Sequence, residues 1–321
     1  MLDNAYAIVQ SDGVRPDAFY PAGPRAREAF ILRMGMEGQW GVEVRDRCPL
    51  TIVAVRSGSC MVKRGRKIVE ARQGQVVVIY GSSAFEVLSN NSCPRRDGAG
   101  SFYVIGPGQQ CHEASGLAVK QELRQGVRAW GNAPDGADQL LVGTFTTTSA
   151  VADLVCEGTD LAVIDDEAVW QWAELLAAQA QILGAAQQVV LDRLLDILVT
   201  CALQCLPGVG VLSSAVPGIG EAVAAMWAEP ARAWSVAELA RRASMSRSAF
   251  SAAFRQAMGA APMGYLTRLR LALAHDAVRS GNAPLSLIVR EVGYSSPFAL
   301  SAAFRRVYSV SPSALRSAFS G

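Results

Sequence analysis

The chain has 321 residues, half of them hydrophobic, and a formal net charge of +2. Such a chain fits about two domains with a sizeable core, and no stretch approaches the ~18–20 apolar residues of a membrane span. The first residues lack the basic start and apolar run of a signal peptide. We therefore expect a cytoplasmic protein with no membrane partner, whose seven cysteines are free thiols.

The N-terminal half has the pattern of short β-strands. Runs rich in β-branched residues alternate with glycine-containing turns, at Leu50–Val55, Cys60–Val62, Lys67–Val69 and Gln75–Tyr80. Weaker strand patterns follow at Phe102–Ile105, Gly116–Leu123 and Gln139–Phe145. Short strands separated by tight turns predict a β-barrel or a β-sandwich.

Two amphipathic helices are predicted next, over Asp166–Ala180 and Ala186–Leu206. The second helix has one apolar stripe, made by Val190, Leu194, Leu195, Leu198 and Ala202. This stripe suits packing against the strands of the same chain or against a second subunit, and the pattern does not decide between them. The following residues, 207–216, are rich in Gly, Pro and Ser and form a predicted linker.

Positive charge is concentrated at the C-terminal end. Residues 221–321 contain 12 arginines, no lysine and 5 acidic residues, a net charge of +7, whereas residues 1–220 carry −5. A basic domain beside a mildly acidic one favours a polyanionic partner for the basic domain alone.

The same C-terminal region contains one helical unit twice. The segment Ser251–Arg255 recurs as Ser301–Arg305, and Pro262 recurs as Pro312, both 50 residues later. In each copy a support helix, a tight turn and a second helix follow one another. A capping box of Ser235 and Glu238 begins the first support helix. Two helix-turn-helix units joined by a long helix predict binding to successive stretches of a DNA major groove.

The second helix of each unit is the predicted recognition helix, over Arg247–Met258 and Ser296–Tyr308. Phe250, Phe254, Leu300 and Phe304 should face the core. The candidate DNA-binding residues are Arg247, Ser248, Ser251, Ala252, Arg255, Ser296, Phe298, Ala299, Ser301, Ala302, Arg305 and Arg306. Arginines at the edges of these helices are expected to bind phosphates, which set register and affinity but not sequence.

These motifs resemble the DNA-binding domain of AraC/XylS-family transcriptional regulators over residues 217–319. The matching stretches are Trp234–Ala240, Met245–Phe250, Phe254–Arg255, Pro262–Leu266, Val292–Tyr294, Phe304–Arg306 and Ser311–Pro312. The N-terminal region is similar to the cupin-like sensor of one subgroup of that family, at Gln39–Gly41, Arg56–Ser59, Gly74–Ile79 and Val190–Leu195. The resemblance implies an α+β protein with a cupin-like β-barrel, a helical connector and an all-α tandem helix-turn-helix domain.

The resemblance also implies base contacts from Ser248, Ser251 and Ala252, and from Phe298, Ser301 and Ala302. Family members often carry a long polar residue at the two alanine positions. Alanine can touch a thymine methyl but cannot contact guanine through two hydrogen bonds. Sequence reading is therefore expected to depend on the flanking arginines, the serines and DNA shape.

The sensor domain has few residues suited to chemistry. A cupin metal site needs two or three histidines and a carboxylate, but the chain has only His112 and His275. We therefore expect no cofactor and no enzymatic activity, but an apolar effector pocket to which Trp40 contributes. A redox alternative pairs Cys111, beside His112, with Cys93. An ordinary structural role is favoured for Cys111 and His112, because adjacent residues on a strand point to opposite faces.

The predicted domains are a sensor at 1–165, a connector at 166–206 that packs on the sensor or serves dimerisation, a linker at 207–216 and a DNA-binding domain at 217–321. The predicted function is sequence-specific transcriptional regulation in response to a small molecule or a redox signal. The expected partners are double-stranded DNA, an effector, RNA polymerase and a second copy of the chain. Three alternatives remain: a regulator without an effector, a cupin-type enzyme fused to a DNA-binding domain, and a module that binds protein rather than DNA.

Overall fold

The computed structural model describes residues 30–90, 101–113, 123–206, 218–281 and 283–319, in two compact units within 30–206 and 218–319. The strands of the first unit are β1 (Phe30–Met36), β2 (Trp40–Val44), β3 (Leu50–Ser57), β4 (Ser59–Arg64), β5 (Lys67–Arg72), β6 (Val76–Tyr80), β7 (Phe85–Ser89), β8 (Ser101–Gly106), β9 (Gln110–Glu113), β10 (Arg124–Gly126), β11 (Ala129–Trp130), β12 (Asp138–Phe145) and β13 (Leu161–Ile164). The four strongest strand predictions lie within β3, β4, β5 and β6. The predicted strand Gly116–Leu123 falls almost wholly outside the described residues.

These strands form two sheets. Among the described residues, one sheet has the order β10-β11-β1-β12-β3-β6-β13 and the other the order β5-β4-β7-β2-β8-β9. Neighbouring strands are antiparallel, except that β1 pairs with β11 and β2 pairs with β8 in parallel. The first unit therefore has a β architecture of two sheets, in keeping with the barrel or sandwich that the short strands predict.

The central strand β3 is buried on both faces. Val53 and Val55 belong to the core between the two sheets, whereas Ile52 and Ala54 belong to a second core on the outer face of the first sheet. Since side chains alternate along a strand, two apolar cores require the near-continuous apolar run of β3.

The helices of the first unit are α1 (Ala150–Val155), α2 (Glu167–Gln179) and α3 (Gln187–Gln204). Leu195, Leu198 and Ala202 of α3 are fully buried in the core on the outer face of the first sheet. Gly143 of β12 allows this approach, since a Cβ there would lie 2.6 Å from a methyl group of Leu195. Part of the predicted stripe thus packs within the chain, whereas Val190 remains 41% exposed. The sequence pattern predicts neither α1 nor β13.

The second unit is helical throughout its described secondary structure. Its helices are α4 (Ile219–Ala228), α5 (Val236–Arg242), α6 (Arg247–Met258), α7 (Pro262–Ser280), α8 (Leu285–Glu291), α9 (Pro297–Tyr308) and α10 (Pro312–Phe319). Ser296 caps α9 instead of belonging to it as predicted. The predicted linker 207–216 lies outside the described residues. In the parts of the chain described here, no helix is long and apolar enough to span a membrane.

Candidate nucleic-acid interface and inner cavity

The two helix-turn-helix units share their turn geometry. Between α5 and α6 the Met245 N–H donates to the carbonyl of Ala240 (2.9 Å), and between α8 and α9 the Tyr294 N–H donates to that of Val289 (3.0 Å). The residue before each donor has a left-handed backbone, with φ of 55° in the first turn and 73° in the second. The second turn uses Gly293 for this conformation, which glycine adopts without steric cost.

A serine cap begins each recognition helix. The Ser246 hydroxyl accepts from the Ala249 N–H (3.2 Å), and the Ser296 hydroxyl accepts from the Ala299 N–H (3.1 Å). The inserted Ser295 lies between the second turn and its cap, and it changes the offset between the units from 49 to 50 residues. Serine caps satisfy amide groups that helix ends leave unpaired, so Ser296 fixes the start of α9.

The inward faces of both recognition helices are aromatic or aliphatic, as predicted. Phe250, Phe254, Leu300 and Phe304 have no exposed surface. The Phe254 ring packs edge-on against Tyr265 of α7, with ring centres 5.7 Å apart. These contacts fix the rotation of each helix about its axis and thereby decide which residues face outward.

The outward face of α6 contains the predicted contact residues. Arg247, Ser248, Ala252 and Arg255 are exposed, and Ser251 is partly exposed. The Ser251 hydroxyl donates to the Arg247 carbonyl (2.8 Å), which leaves its oxygen able to accept from a base.

The matching face of α9 is more apolar at its start. Phe298 is 87% exposed, and Ala302, Arg305 and Arg306 are also exposed. Three further members of the predicted set are only partly exposed: Ser296, Ala299 and Ser301. The structure therefore places the predicted residues on two corresponding helix faces, with the largest exposed apolar side chain at the N-terminal end of α9.

The arginines of this unit fall into two groups. Arg270 donates to the carbonyls of Pro230 and Arg232 (both 2.7 Å), and Arg316 donates to that of Ala283 (2.6 Å), so both stabilise the fold. By contrast, no carboxylate in the described part of the chain pairs with Arg247, Arg255 or Arg305. These three guanidinium groups are available to an anionic partner such as a phosphate backbone.

In the first unit, Trp40 serves the core and does not line the inner cavity. It is fully buried, and its indole N–H donates to the Asp138 carboxylate (2.8 Å), which also accepts from the Ser59 N–H (3.1 Å). This network joins the starts of β2, β4 and β12. The predicted effector role for Trp40 therefore receives no support from its position.

Cys111 and His112 lie side by side on β9 but on opposite faces. Cys111 is buried among the residues between the sheets, whereas His112 is partly exposed. Cys93, its predicted redox partner, lies outside the described residues. Burial raises the pKa of the Cys60 thiol to about 12 and that of the Cys156 thiol to about 12. Neutral thiols are poor nucleophiles, so these two cysteines are structural.

A small cavity of about 30 Å³ lies between the two sheets and opens to solvent. Its walls are mostly apolar and come from β1, β2, β3, β7, β8 and β12: Phe30, Leu32, Met34, Val42, Val44, Thr51, Val53, Phe85, Val87, Ile105, Val142 and Thr144, with Asp46 and Gln109 beside them. Gln109 donates to Asp46 (3.1 Å). Neither Cys111 nor His112 lines this space.

Two buried hydroxyls that line this cavity, those of Thr51 and Thr144, are unsatisfied within the described part of the chain. Thr51 is 1% exposed, and its oxygen has no hydrogen-bond partner among the described residues. Its cross-strand neighbour is Thr144, whose hydroxyl lies beside the Cys48 thiol. Sequence reasoning missed both threonines, because only the pairing of β3 with β12 brings them together. A buried polar group without a partner marks a place where a bound molecule gains a hydrogen bond.

The described residues contain no cluster of three or more histidine, cysteine or acidic side chains placed to hold a metal ion.

Two family models match the chain, one described as a helix-turn-helix domain over residues 239–318 and one described as cupin over residues 22–207. A putative AraC-like transcription regulator of Streptomyces antibioticus is 44% identical over 96 residues, which are 30% of this chain and 32% of that protein. A protein of the same description from Streptomyces lividans is 45% identical over 96 residues, which are 30% of this chain and 32% of that protein. The match thus spans about a third of these relatives. The solved DNA-binding domain of AdpA, a global transcriptional factor in complex with a target DNA, is 32% identical, covers 32% of this chain and 92% of that chain, and has a TM-score of 0.31.

The folds of the two units and the two matches define a protein with a cupin-like β unit followed by a tandem helix-turn-helix unit. The cupin model covers more than half of the chain. The chain belongs to the cupin family and carries a C-terminal helix-turn-helix domain of the AraC type.

Proposed function

We propose that this protein is a sequence-specific DNA-binding transcriptional regulator whose N-terminal unit senses a small molecule. The observation that carries the proposal is the pair of corresponding recognition faces on α6 and α9, whose arginines Arg247, Arg255 and Arg305 have no carboxylate partner in the described part of the chain. The relatives that match this unit are named as transcription regulators. Buried aromatic residues fix both faces toward solvent, where they fit the major groove.

Fluorescence anisotropy with the purified full chain tests this function. The probe is the DNA upstream of its own gene and the neighbouring genes, at two salt concentrations and with unlabelled competitor DNA. A complex that resists competitor and weakens steeply with salt supports the proposal. Binding that is equal on every fragment, with or without effector candidates, contradicts sequence-specific regulation and favours the alternative of a module that binds protein.

The inner cavity is the proposed effector site, and its walls have to move apart to admit a molecule larger than water. Its apolar walls disfavour a charged ligand, since burying an unpaired charge is costly, and Asp46 near the cavity repels an anion. The unsatisfied hydroxyl of Thr51 provides one polar contact. The proposed effector is therefore a neutral molecule with an apolar body and one hydrogen-bonding group, such as a ketone, a lactone, an alcohol or a phenol.

A thermal-shift screen checks this site, with neutral compounds of those classes and carboxylic acids of the same size. Stabilisation by a neutral compound that Thr51→Val weakens supports the site, because the substitution keeps the volume and removes the hydroxyl. Equal stabilisation of both proteins, or by the acids alone, contradicts it. Mass analysis of oxidant-treated protein tests the alternative redox signal at Cys93 and Cys111.

Three further features belong to the same proposal. The protein acts in the cytoplasm, has no enzymatic activity and works together with RNA polymerase at a promoter. The names of the matched relatives support regulation over catalysis. An enzyme activity that depends on the inner cavity contradicts this assignment and favours the cupin-type enzyme.

The outer face of α3 is the proposed homodimer surface. Val190, Leu194, Ile197 and Cys201 follow one another at spacings of four, three and four residues, with Val190 41% and Ile197 38% exposed. This spacing is typical of a seam between paired helices. Sedimentation equilibrium should show a dimer that Ile197→Asp dissociates. As a matched control, Leu175→Asp, at an apolar residue of α2 exposed to 42%, should leave it intact.

A further inference from the structure

The two recognition helices present nearly the same face to solvent. On α6 this face consists of Ser248, Ser251, Ala252 and Arg255, and on α9 it consists of Phe298, Ser301, Ala302 and Arg305. Within each set the spacing of three and four residues places the side chains on one side of the helix. Three of the four positions are identical, so the difference between the two faces is concentrated where α6 has serine and α9 has phenylalanine.

The fold does not use the Phe298 ring. It is 87% exposed, whereas Phe304 of the same helix is fully buried. Phe298 is the second residue of α9, directly after Pro297, and the N-terminal residues of a recognition helix contact base edges in the major groove. The ring is therefore placed for a partner that enters at this end of the helix.

The chemistry of this end of α9 is apolar. Phe298 has no hydrogen-bond donor or acceptor, and neither does the side chain of Ala302 one turn later. Such side chains cannot form the paired hydrogen bonds that identify guanine or adenine. Thymine is the base that presents a methyl group in the major groove, and phenylalanine and alanine contact that methyl.

We propose that α9 selects thymine through its 5-methyl group, with Phe298 as the specificity-determining residue and Ala302 as a secondary contact. The corresponding start of α6 carries the small, polar Ser248 in place of a ring. Its half of the binding site is selected without this methyl contact. The operator is therefore asymmetric, and the half bound by α9 depends more strongly on thymine methyl groups, since α6 offers a methyl group only Ala252. This inference rests on the proposed function, since it requires duplex DNA in contact with α9.

Selection of binding sites from random duplex DNA by the full chain provides the probe. The same selection with Phe298→Ser, which copies the residue of α6, identifies the base pair that Phe298 reads. Because Phe298 is exposed, this change leaves the fold intact. The thymine at that base pair is then replaced by uracil, which lacks the 5-methyl group and keeps the same pairing edge and O4 acceptor.

We expect the uracil duplex to bind the unaltered protein about fourfold more weakly for each contacted methyl group, the effect of burying one such group. Phe298→Ser should bind the thymine and uracil duplexes equally. A duplex with 5-methylcytosine at the same position should bind the unaltered protein better than its cytosine counterpart. Together these comparisons separate the methyl group from every other feature of thymine.

Two controls make the result specific. Arg305→Ala should weaken binding to the thymine and uracil duplexes by the same factor, since a phosphate contact does not sense the base. Uracil in the half-site bound by α6 should have a smaller effect than uracil at the base pair that Phe298 reads, since α6 offers a methyl group only Ala252.

Three outcomes overturn this inference alone. One is equal affinity for the thymine and uracil duplexes of the selected site. Another is an affinity difference between them that persists in Phe298→Ser. An unchanged selected sequence in Phe298→Ser also overturns it, and it indicates that the ring binds a protein partner. If the full chain selects no sequence at all, the proposed function fails as well, and the two failures are thereby distinguished.

Discussion

Removal of two arginines tests the position of both recognition helices at once. Arg255 and Arg305 occupy equivalent places in the last turns of α6 and α9, both exposed. Neither has a carboxylate partner within the described residues, and each should contact a phosphate. The double variant Arg255→Ala/Arg305→Ala should therefore lose two phosphate contacts while the buried faces of both helices remain intact.

The magnitude follows from counterion release. Each phosphate contact contributes about 0.9 to the slope of log binding constant against log salt concentration, so two contacts contribute about 1.8. Between about 50 and 200 mM salt, the unaltered protein should lose about twelvefold more affinity than the double variant. At low salt the double variant should bind more weakly to every DNA sequence, because phosphates carry no sequence information.

The assay is fluorescence anisotropy over a salt series, with thermal denaturation as the test of folding. The matched control is Arg45→Ala/Arg193→Ala, which removes the same charge from residues paired with Glu43 (2.7 Å) and Asp196 (2.8 Å) in the first unit. This control should keep the full salt slope. An unchanged slope and affinity in Arg255→Ala/Arg305→Ala, with a normal melting temperature, would refute the placement of α6 and α9 against DNA.

Three further predictions concern stability. Phe254→Ala should destabilise the second unit by about 3–5 kcal/mol because the ring is fully buried. Phe298→Ala should change the unfolding free energy by less than about 0.5 kcal/mol. Equal effects of the two substitutions in urea denaturation would contradict the burial pattern. Gly293→Ala should lower the unfolding free energy by at least about 1–2 kcal/mol, since φ is 73° and a Cβ would lie 2.5 Å from a backbone oxygen. By contrast, Gly264→Ala, in open space on α7, should stabilise the unit by about 0.5–1 kcal/mol. Melting temperatures of the two variants that move in the same direction would argue against this turn geometry. Burial and then the charge of Asp153 raise the pKa of Cys156 from 9.0 to about 12. Between about pH 9 and pH 12 the folded state therefore keeps a proton that the unfolded state loses, and the unfolding free energy should fall by up to about 1.4 kcal/mol per pH unit. Urea titrations of Cys156→Ala should show a smaller fall, and an identical pH dependence would contradict Cys156 as the cause.

The helical part of the fold was predictable because its signals are local. The capping box of Ser235 and Glu238 forms as predicted, with the Glu238 side chain accepting from the Ser235 N–H at 2.9 Å. The apolar spacing of Phe250 and Phe254 likewise predicts their burial. Caps and 3.6-residue periodicity depend on neighbours within one or two turns, so the sequence alone defines these helices to within about one residue.

The cavity and its polar group were not predictable, because they depend on distant parts of the chain. Thr51 becomes a buried, unsatisfied hydroxyl only when β3 pairs with β12 and the second sheet covers both. Trp40 has the sequence context of a pocket residue, but Asp138, 98 positions away, accepts its indole N–H and fixes it in the core. Burial and hydrogen-bond satisfaction are tertiary properties, so local patterns do not specify them.

The internal repeat separates residues that maintain the fold from residues that recognise a partner. Positions that pack or cap are equivalent in both copies: Phe254 and Phe304 are fully buried, and Ser246 and Ser296 both cap. The copies differ most at exposed positions. Ser248 corresponds to Phe298, and Gln256 corresponds to Arg306. Since neither pair contributes to the core, the fold does not require these differences, and two recognition helices with different surfaces are suited to two different half-sites. We therefore expect the DNA target to be a directional sequence and not a repeat of one half-site.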